Sequence, residues 1–141
     1  MVVSAMAVPA SAEEIVPYTS ADSSFDFTFG FFGKDNTVGR AKDDNTSTYI
    51  KVETCPTNGF EVFVDGANSA DTLWWDDTTT IGSPKVSRTG KFLIRQLVKE
   101  KGYSYARLGG YRSSGSGGAS GKWSPDYSSL NDPYPKATSL N

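Results

Sequence analysis

The sequence predicts an all-β domain, an antiparallel β-sandwich or jelly roll. Two observations carry this. Phe25, Phe27, Phe29 and Phe31 alternate with Asp26, Thr28 and Gly30, and a period of two puts all four rings on one face of a strand, where a helix would scatter them. Beyond them, short apolar runs recur at roughly 8–12-residue spacing between Gly, Pro, Asn and Asp, the rhythm of a sandwich.

The elements follow in order. After the phenylalanine strand, Gly33 to Asn36 reads as a polar turn and Asp43-Asp44-Asn45 as a loop. Thr48 to Thr54 is a strand with Ile50 and Val52 inward and Tyr49, Lys51 and Glu53 outward. Pro56-Thr57-Asn58-Gly59 supplies turn chemistry. Phe60, Val62 and Val64 then form the apolar face of a third strand ending at Asp65-Gly66, and the two strands read as an antiparallel hairpin. Leu73-Trp74-Trp75 is a short strand or a loop, and Ile81 to Pro84 breaks what precedes it.

Phe92 to Lys101 fits both periods, which predicts a strand passing into an irregular or helical crossover, with Gly102 as cap or turn. Tyr103 to Arg112 is a strand with Ala106 and Leu108 inward and Tyr103, Tyr105, Arg107 and Tyr111 on the other face. Ser113 to Gly118 reads as a flexible loop and Ala119 to Ser124 as a closing strand carrying Trp123. The organisation expected is a signal-peptide remnant over 1–12, a linker over 13–23, the β-domain over 24–126 and an irregular tail over 127–141.

Export is expected from the first of these. Ala10-Ser11-Ala12 closes a mostly apolar leader just before Glu13-Glu14, and small residues at −3 and −1 suit a signal peptidase. The basic start of such a leader is missing, which leaves an upstream start codon open. Cleavage after Ala12 leaves 129 residues, enough for one core and too few for two. No apolar run after the leader approaches the roughly 20 residues of a membrane span, and no cell-wall sorting signal is expected at the C-terminus.

The absence of His removes Ser-His and Cys-His nucleophile pairs, imidazole zinc sites and the ordinary base near neutral pH. Cys55 is the single cysteine, so the fold is expected to stand without an internal disulfide. It reads as a partly buried thiol before Pro56, with an intermolecular disulfide as the sharper alternative. No cofactor is expected. Asp35, Asn36, Asp43, Asp44 and Asn45, and Asp65, Asn68 and Asp71, supply oxygens of the kind Ca²⁺ favours. Neither group has calcium-loop spacing, and turn-forming is the expected role. Glu53, Glu61, Asp65, Asp76 and Asp77 offer carboxylates without a paired-acid signature, and Asp126 reads as a turn former.

Charge is distributed unevenly. Residues 1–84 hold 4 basic and 13 acidic side chains, whereas residues 85–141 hold 10 basic and 3 acidic. Cross-strand pairing between the halves is the favoured explanation. An anionic partner is the second, and it would require Lys91, Arg95, Arg107 and Arg112 to include exposed members of one patch. Nucleic acid is not an expected partner, since no recognisable module accompanies the basic half.

The candidate ligand-binding residues are aromatic and basic. Trp74, Trp75 and Trp123 with Tyr103, Tyr105 and Tyr111 would make a stacking platform for sugar rings, with Arg107 and Arg112 beside it. The competing reading places two of the three tryptophans in the core or over a sheet edge. The sequence leaves the oligomeric state open.

Thr89-Gly90, Val98, Glu100, Gly102, Tyr103, Ala106-Arg107-Leu108 and Gly121-Lys122-Trp123-Ser124-Pro125-Asp126 resemble small secreted proteins of Gram-positive bacteria, of uncharacterised function, built as a compact β-domain. Lactococcin-type bacteriocins are a more distant likeness in size, export and Gly- and aromatic-rich β-character. The resemblance implies no catalytic residue. The expected function is a secreted, non-enzymatic β-sandwich acting at the bacterial cell surface or on competing bacteria. Its partner would be an envelope polymer, a glycan or an anionic surface. A carbohydrate-binding module is the alternative.

Overall fold

The phenylalanine alternation seeds the first strand. In the computed structural model, which describes residues 22–30, 33–112, 117–128 and 137–141, β1 spans Ser23–Thr28. Phe25 and Phe27 point inward from it and Phe29 follows into the core. Phe31 and the 1–12 leader lie outside the described residues, as does most of the 113–118 loop.

Among the described residues nine further strands follow: β2 Lys34–Asn36, β3 Arg40–Ala41, β4 Thr48–Thr54, β5 Phe60–Ala67, β6 Lys85–Val86, β7 Gly90–Ile94, β8 Tyr105–Tyr111, β9 Gly118–Ser124 and β10 Thr138–Ser139. They form two sheets. One runs β10-β7-β4-β9-β1 and the other β2-β8-β5-β6, with β3 also pairing β8. All pairings are antiparallel except β10 beside β7. The sheets pack face to face as a β-sandwich, and among the described residues there is no helix.

The core lies between them. Phe25, Phe27, Ile50, Val52, Phe92, Ile94, Ala119 and Trp123 from the first sheet meet Phe60, Val62, Val64, Val86, Ala106 and Leu108 from the second. Two adjacent glycines of β8 make the fit possible. A Cβ on Gly110 would stand 2.8 Å from the Phe27 ring, and one on Gly109 would stand 2.1 Å from the Phe63 ring on the outer face.

Four expectations are corrected. Gly33 to Asn36 is not simply a turn, because Lys34–Asn36 is an edge strand on β8. The strands over 48–54 and 60–64 do not form a hairpin. The Asn58-Gly59 turn, with both residues at positive φ, carries the chain from the first sheet to the second, and β4 pairs β7 and β9 instead. β5 continues past Asp65-Gly66 to Ala67. Tyr49 is buried although alternation faces it outward, since Tyr127 stacks on its ring at 5.7 Å.

The ambiguous segment resolves as β7 followed by a single turn, with Lys101 N–H donating to Leu97 and Gly102 closing it at positive φ. The tail is tied down at both described ends. Tyr127 covers Tyr49, and Asn141 accepts from Arg95 N–H through its side-chain oxygen and donates to the Ile81 and Arg95 carbonyls. Asp126 is more than a turn former. It is buried against Lys42, whose Nζ donates to Asp126 Oδ1 at 2.7 Å, Thr46 O at 2.7 Å and Pro125 O at 2.9 Å.

Candidate functional site

The residues from Asn68 to Thr80 leave β5 and fold back along its edge. β6 pairs only Phe60 and Glu61 of β5, so the rest of that edge needs partners. The returning chain supplies them. Gly66 and Asp76 exchange backbone hydrogen bonds of 3.1 and 2.8 Å, Val64 N–H donates to Thr80 Oγ1 at 2.7 Å, and the Thr79 hydroxyl donates to Val64 O. The base of the loop is thereby part of the sandwich.

Its tip is built on Trp75. The indole N–H donates to Thr72 O at 3.1 Å, and the ring lies so close to Gly39 that a Cβ there would stand 2.6 Å from it. The Arg107 guanidinium covers the ring at 4.8 Å. Trp75 is half-buried, an anchor more than a contact surface. Its neighbours are different: Leu73 is 103% exposed and Trp74 59%. Among the described residues Trp74 pairs with the Tyr103 ring, with centroids 6.0 Å apart and planes tilted 53°. Val38, next to the Gly39 that Trp75 packs on, is also exposed.

A polar network holds this tip from below. Arg107 Nε donates to Asp65 Oδ2 at 2.9 Å across the β5–β8 ladder, where the two residues are register partners. Asp65 is fully buried and its Oδ1 has no hydrogen-bond partner. Burial pushes its carboxyl above the usual range, against the pull of the Arg107 hydrogen bond. Asp76 has the opposite setting. The Thr78 hydroxyl and N–H, then the Tyr103 hydroxyl at 2.8 Å, hold it down at about 2. Donation to Asp76 raises Tyr103 in turn. Lys101 completes the group at 2.7 Å from Thr78 Oγ1.

The structure therefore gathers Trp74, Trp75, Tyr103 and Arg107 in one place. Tyr105 lies on the same strand, half-exposed. Tyr111 and Arg112 stand at the far end of β8, about 13 Å along the strand from Arg107 at 3.3 Å per residue, where Arg112 donates to Thr57 O. Trp123 is corrected: it is in the core, 1% exposed, on the other sheet. Inward alternation with Ala119 and Gly121 places it there, so no three-tryptophan platform exists.

Leu73, Asp65, Asp76 and Lys101 belong to the site although the sequence did not nominate them as ligand-binding. The Asp/Asn groups act in turns and pairs: Asp35 accepts from Thr28 N–H and Asn36 N–H, and Asp44 from Thr46. Among the described residues no three His, Cys, Asp or Glu side chains are grouped as metal ligands. Cys55 is half-buried, and burial raises its thiol, away from the thiolate form.

The profile of a protein family of unknown function, DUF2712, matches residues 8–127. The chain belongs to DUF2712. The match covers both sheets apart from β10 and the whole Asn68–Thr80 loop. The DUF2712 description assigns no activity. No curated protein and no solved structure matches the chain. No helix among the described residues is long and apolar enough to cross a membrane.

Proposed function

We propose that this DUF2712 protein is a secreted, non-enzymatic binding domain of the bacterial cell surface, and that the Leu73-Trp74 loop tip makes the contact. The observation that carries the reading is the pairing of two exposed large apolar side chains with a rigid base. Holding Leu and Trp in water forgoes burial at about 25 cal/mol per Å² of apolar area. A floppy loop would fold them inward, yet this one is bound to β5, to Gly39 and to the Arg107–Asp65 pair. Contiguous exposed apolar groups on such a frame suit a partner. Secretion rests on the Ala10-Ser11-Ala12 leader, and the Gram-positive setting on the sequence resemblance.

The test is attachment of purified protein to intact bacterial cells. Leu73→Ser with Trp74→Ser should lose attachment and keep its unfolding temperature, because neither side chain is buried. Attachment equal to wild type would overturn the assignment of the tip. Growth inhibition of related bacteria by the same protein would add action on competitors.

One observation favours a carbohydrate ligand as a second reading. The Trp74 ring stands beside Tyr103, whose hydroxyl is bonded to an ionised Asp76, so a stacking face and a hydrogen-bond acceptor lie together. A glycan would need the Trp74 ring and not Leu73. Glycan-array binding lost in Trp74→Ala and retained in Leu73→Ser supports this reading, and equal loss in both supports an apolar partner.

A further inference from the structure

The outer face of the second sheet carries a pocket that the loop tip does not use. Phe60, Val62 and Val64 turn inward from β5, so Glu61, Phe63 and Asp65 turn outward. Phe63 is thus an aromatic residue on a face where alternation calls for polar ones. Its ring lies against the bare backbone of Gly109, its register partner on β8, where a Cβ would stand 2.1 Å away. The half-buried ring forms the floor of an open pocket of about 250 Å³. The returning chain from Thr80 to Ser83 walls one side. Lys34 of β2 reaches over from the other, with Nζ 5.0 Å from the ring centroid.

The pocket is dipolar. At one end Lys34, Tyr111 and Glu61 share a row across β2, β8 and β5, and Lys85 of β6 is the next partner of Glu61. Two ammonium groups and one carboxylate leave that end net positive. At the other end stands Asp77, next to the Asp76 that bridges to Gly66. The buried Asp65 lies in that same part of β5 and keeps one carboxylate oxygen without a hydrogen-bond partner. Burial raises Asp65 first; after Arg107, the charges acting on it are Lys34, which lowers it, and Asp77, which raises it. Arg107 cancels one of the two negative charges at this end, which leaves Asp77. Among the described residues neither Lys34 nor Asp77 makes a salt bridge or a side-chain hydrogen bond. We infer that the Phe63 pocket binds a small zwitterion, an amino acid whose carboxylate meets Lys34 and whose ammonium meets Asp77.

Charge, floor and size all favour such a ligand. A purely cationic molecule would meet Lys34, and a purely anionic one would meet Asp77. A molecule carrying both charges finds the opposite sign at each end, and complementarity of this kind fixes orientation. The Phe63 face attracts the ammonium and gives the carbons between the two charges an apolar surface. The pocket is smaller than the roughly 300–1,000 Å³ of sites for drug-sized ligands, which suits a molecule of a few carbons. An exposed pair of opposite charges is worth little in water, so holding Lys34 and Asp77 apart costs the fold little and keeps both ready for a ligand. This inference does not depend on the loop-tip reading.

Calorimetric titration of the purified protein with glycine, β-alanine, 4-aminobutyrate and 5-aminovalerate tests this, since the series lengthens the spacing between the two charges. At least one member should bind saturably, in the millimolar range or tighter. Butyrate and butylamine, each carrying a single charge, should bind at least about tenfold more weakly than the best of the series, the loss of one charged hydrogen bond. Lys34→Gln and Asp77→Asn should each lose about tenfold or more by the same measure. Both should keep the wild-type unfolding temperature, because both side chains are exposed. Lys99→Gln with Asp26→Asn removes the same two charges elsewhere and should bind as wild type, as should Leu73→Ser with Trp74→Ser. Failure of every member of the series to saturate would overturn the inference. So would butyrate or butylamine matching the best zwitterion, or an equal loss in either control variant.

Discussion

Asp126→Ala removes the acceptor from a buried ammonium. Lys42 Nζ would keep the Thr46 and Pro125 carbonyls but lose its counter-charge, with both side chains of the pair inaccessible to water. Breaking such a pair costs about 3–5 kcal/mol. The same change strips the acceptor from Asp43 N–H at 2.9 Å, which weakens the 42–46 loop. Lys42→Met should cost less, because the remaining Asp126 carboxylate keeps backbone donors from Asp43 and Asp44. Lys42→Met with Asp126→Ala should be more stable than Asp126→Ala alone, since no unpaired ammonium is left inside.

Urea unfolding followed by tryptophan fluorescence measures this, with Trp123 as a core probe. For a domain of this size each kcal/mol moves the unfolding temperature by roughly 3–5 °C, so Asp126→Ala should fall by roughly 10–20 °C by the same scaling. A cost below about 1 kcal/mol, within the range of an exposed pair, would show that Lys42 reaches solvent in solution. A larger cost for Lys42→Met than for Asp126→Ala would refute the assignment of the residual donors.

Arg107→Glu should lower the unfolding temperature sharply in thermal melts, because it sets a second carboxylate opposite the buried Asp65 and uncovers Trp75. Gly39→Ala should displace Trp75, whose ring stands where the new Cβ would go; a shifted tryptophan emission and a loss of roughly 1–3 kcal/mol are expected. As pH falls from 3.8 toward about 2, Asp76 should titrate and release Tyr103 and Thr78. Its folded-state value is depressed, so the stability it supplies is present above 3.8 and fades below. Trp74 emission should follow this step, and Asp76→Asn should abolish it. Asp65 runs in the other sense: its value is raised, so its protonation on acidification relieves a buried charge and favours the fold.

Strand identity was legible wherever an apolar face alternates, as at Phe25 to Phe29, Ile50 to Val52, Phe60 to Val64 and Ala106 to Leu108. Pairing was not. β4 and β5 both turn an apolar face to the same core from opposite sheets, and a period of two is indifferent to which sheet a strand joins. Asn58-Gly59 is turn chemistry in either case. β2 escaped notice because Lys34-Asp35-Asn36 is an edge strand with no apolar side chain to alternate. Tyr49 obeys alternation and is nonetheless buried, because the cover comes from Tyr127, 78 positions later. Lys42 and Asp126 are 84 apart, beyond any local pattern. At the candidate site, outward alternation placed Arg107 correctly but not Tyr103, which precedes β8 and packs partly buried against the core, and the same rule applied to Ala119, Gly121 and Trp123 points the tryptophan inward. Leu73 carried no signal of its own, since exposure at a loop tip depends on what pins the loop.

The charge asymmetry of the two halves resolves differently on the two sheets. The sandwich interleaves the halves, so β5 meets β8 in one sheet while β4 lies between β7 and β9 in the other. On the second sheet and its loops the basic half finds carboxylates: Arg107 meets Asp65, and Lys101 meets Asp76 at 3.9 Å. Pairing explains the asymmetry there, and Arg107 is removed from any anion-binding patch. On the first sheet the same interleaving brings Lys91 and Lys122 to either side of Lys51. The expected patch of Lys91, Arg95, Arg107 and Arg112 does not form, because Lys91 and Arg107 lie on different sheets. Strand order, and not proximity in sequence, decides which charges become neighbours. On the second sheet the opposite charges are direct register partners, Asp65 with Arg107 and Glu61 with Lys85, and opposite charges across a ladder stabilise it.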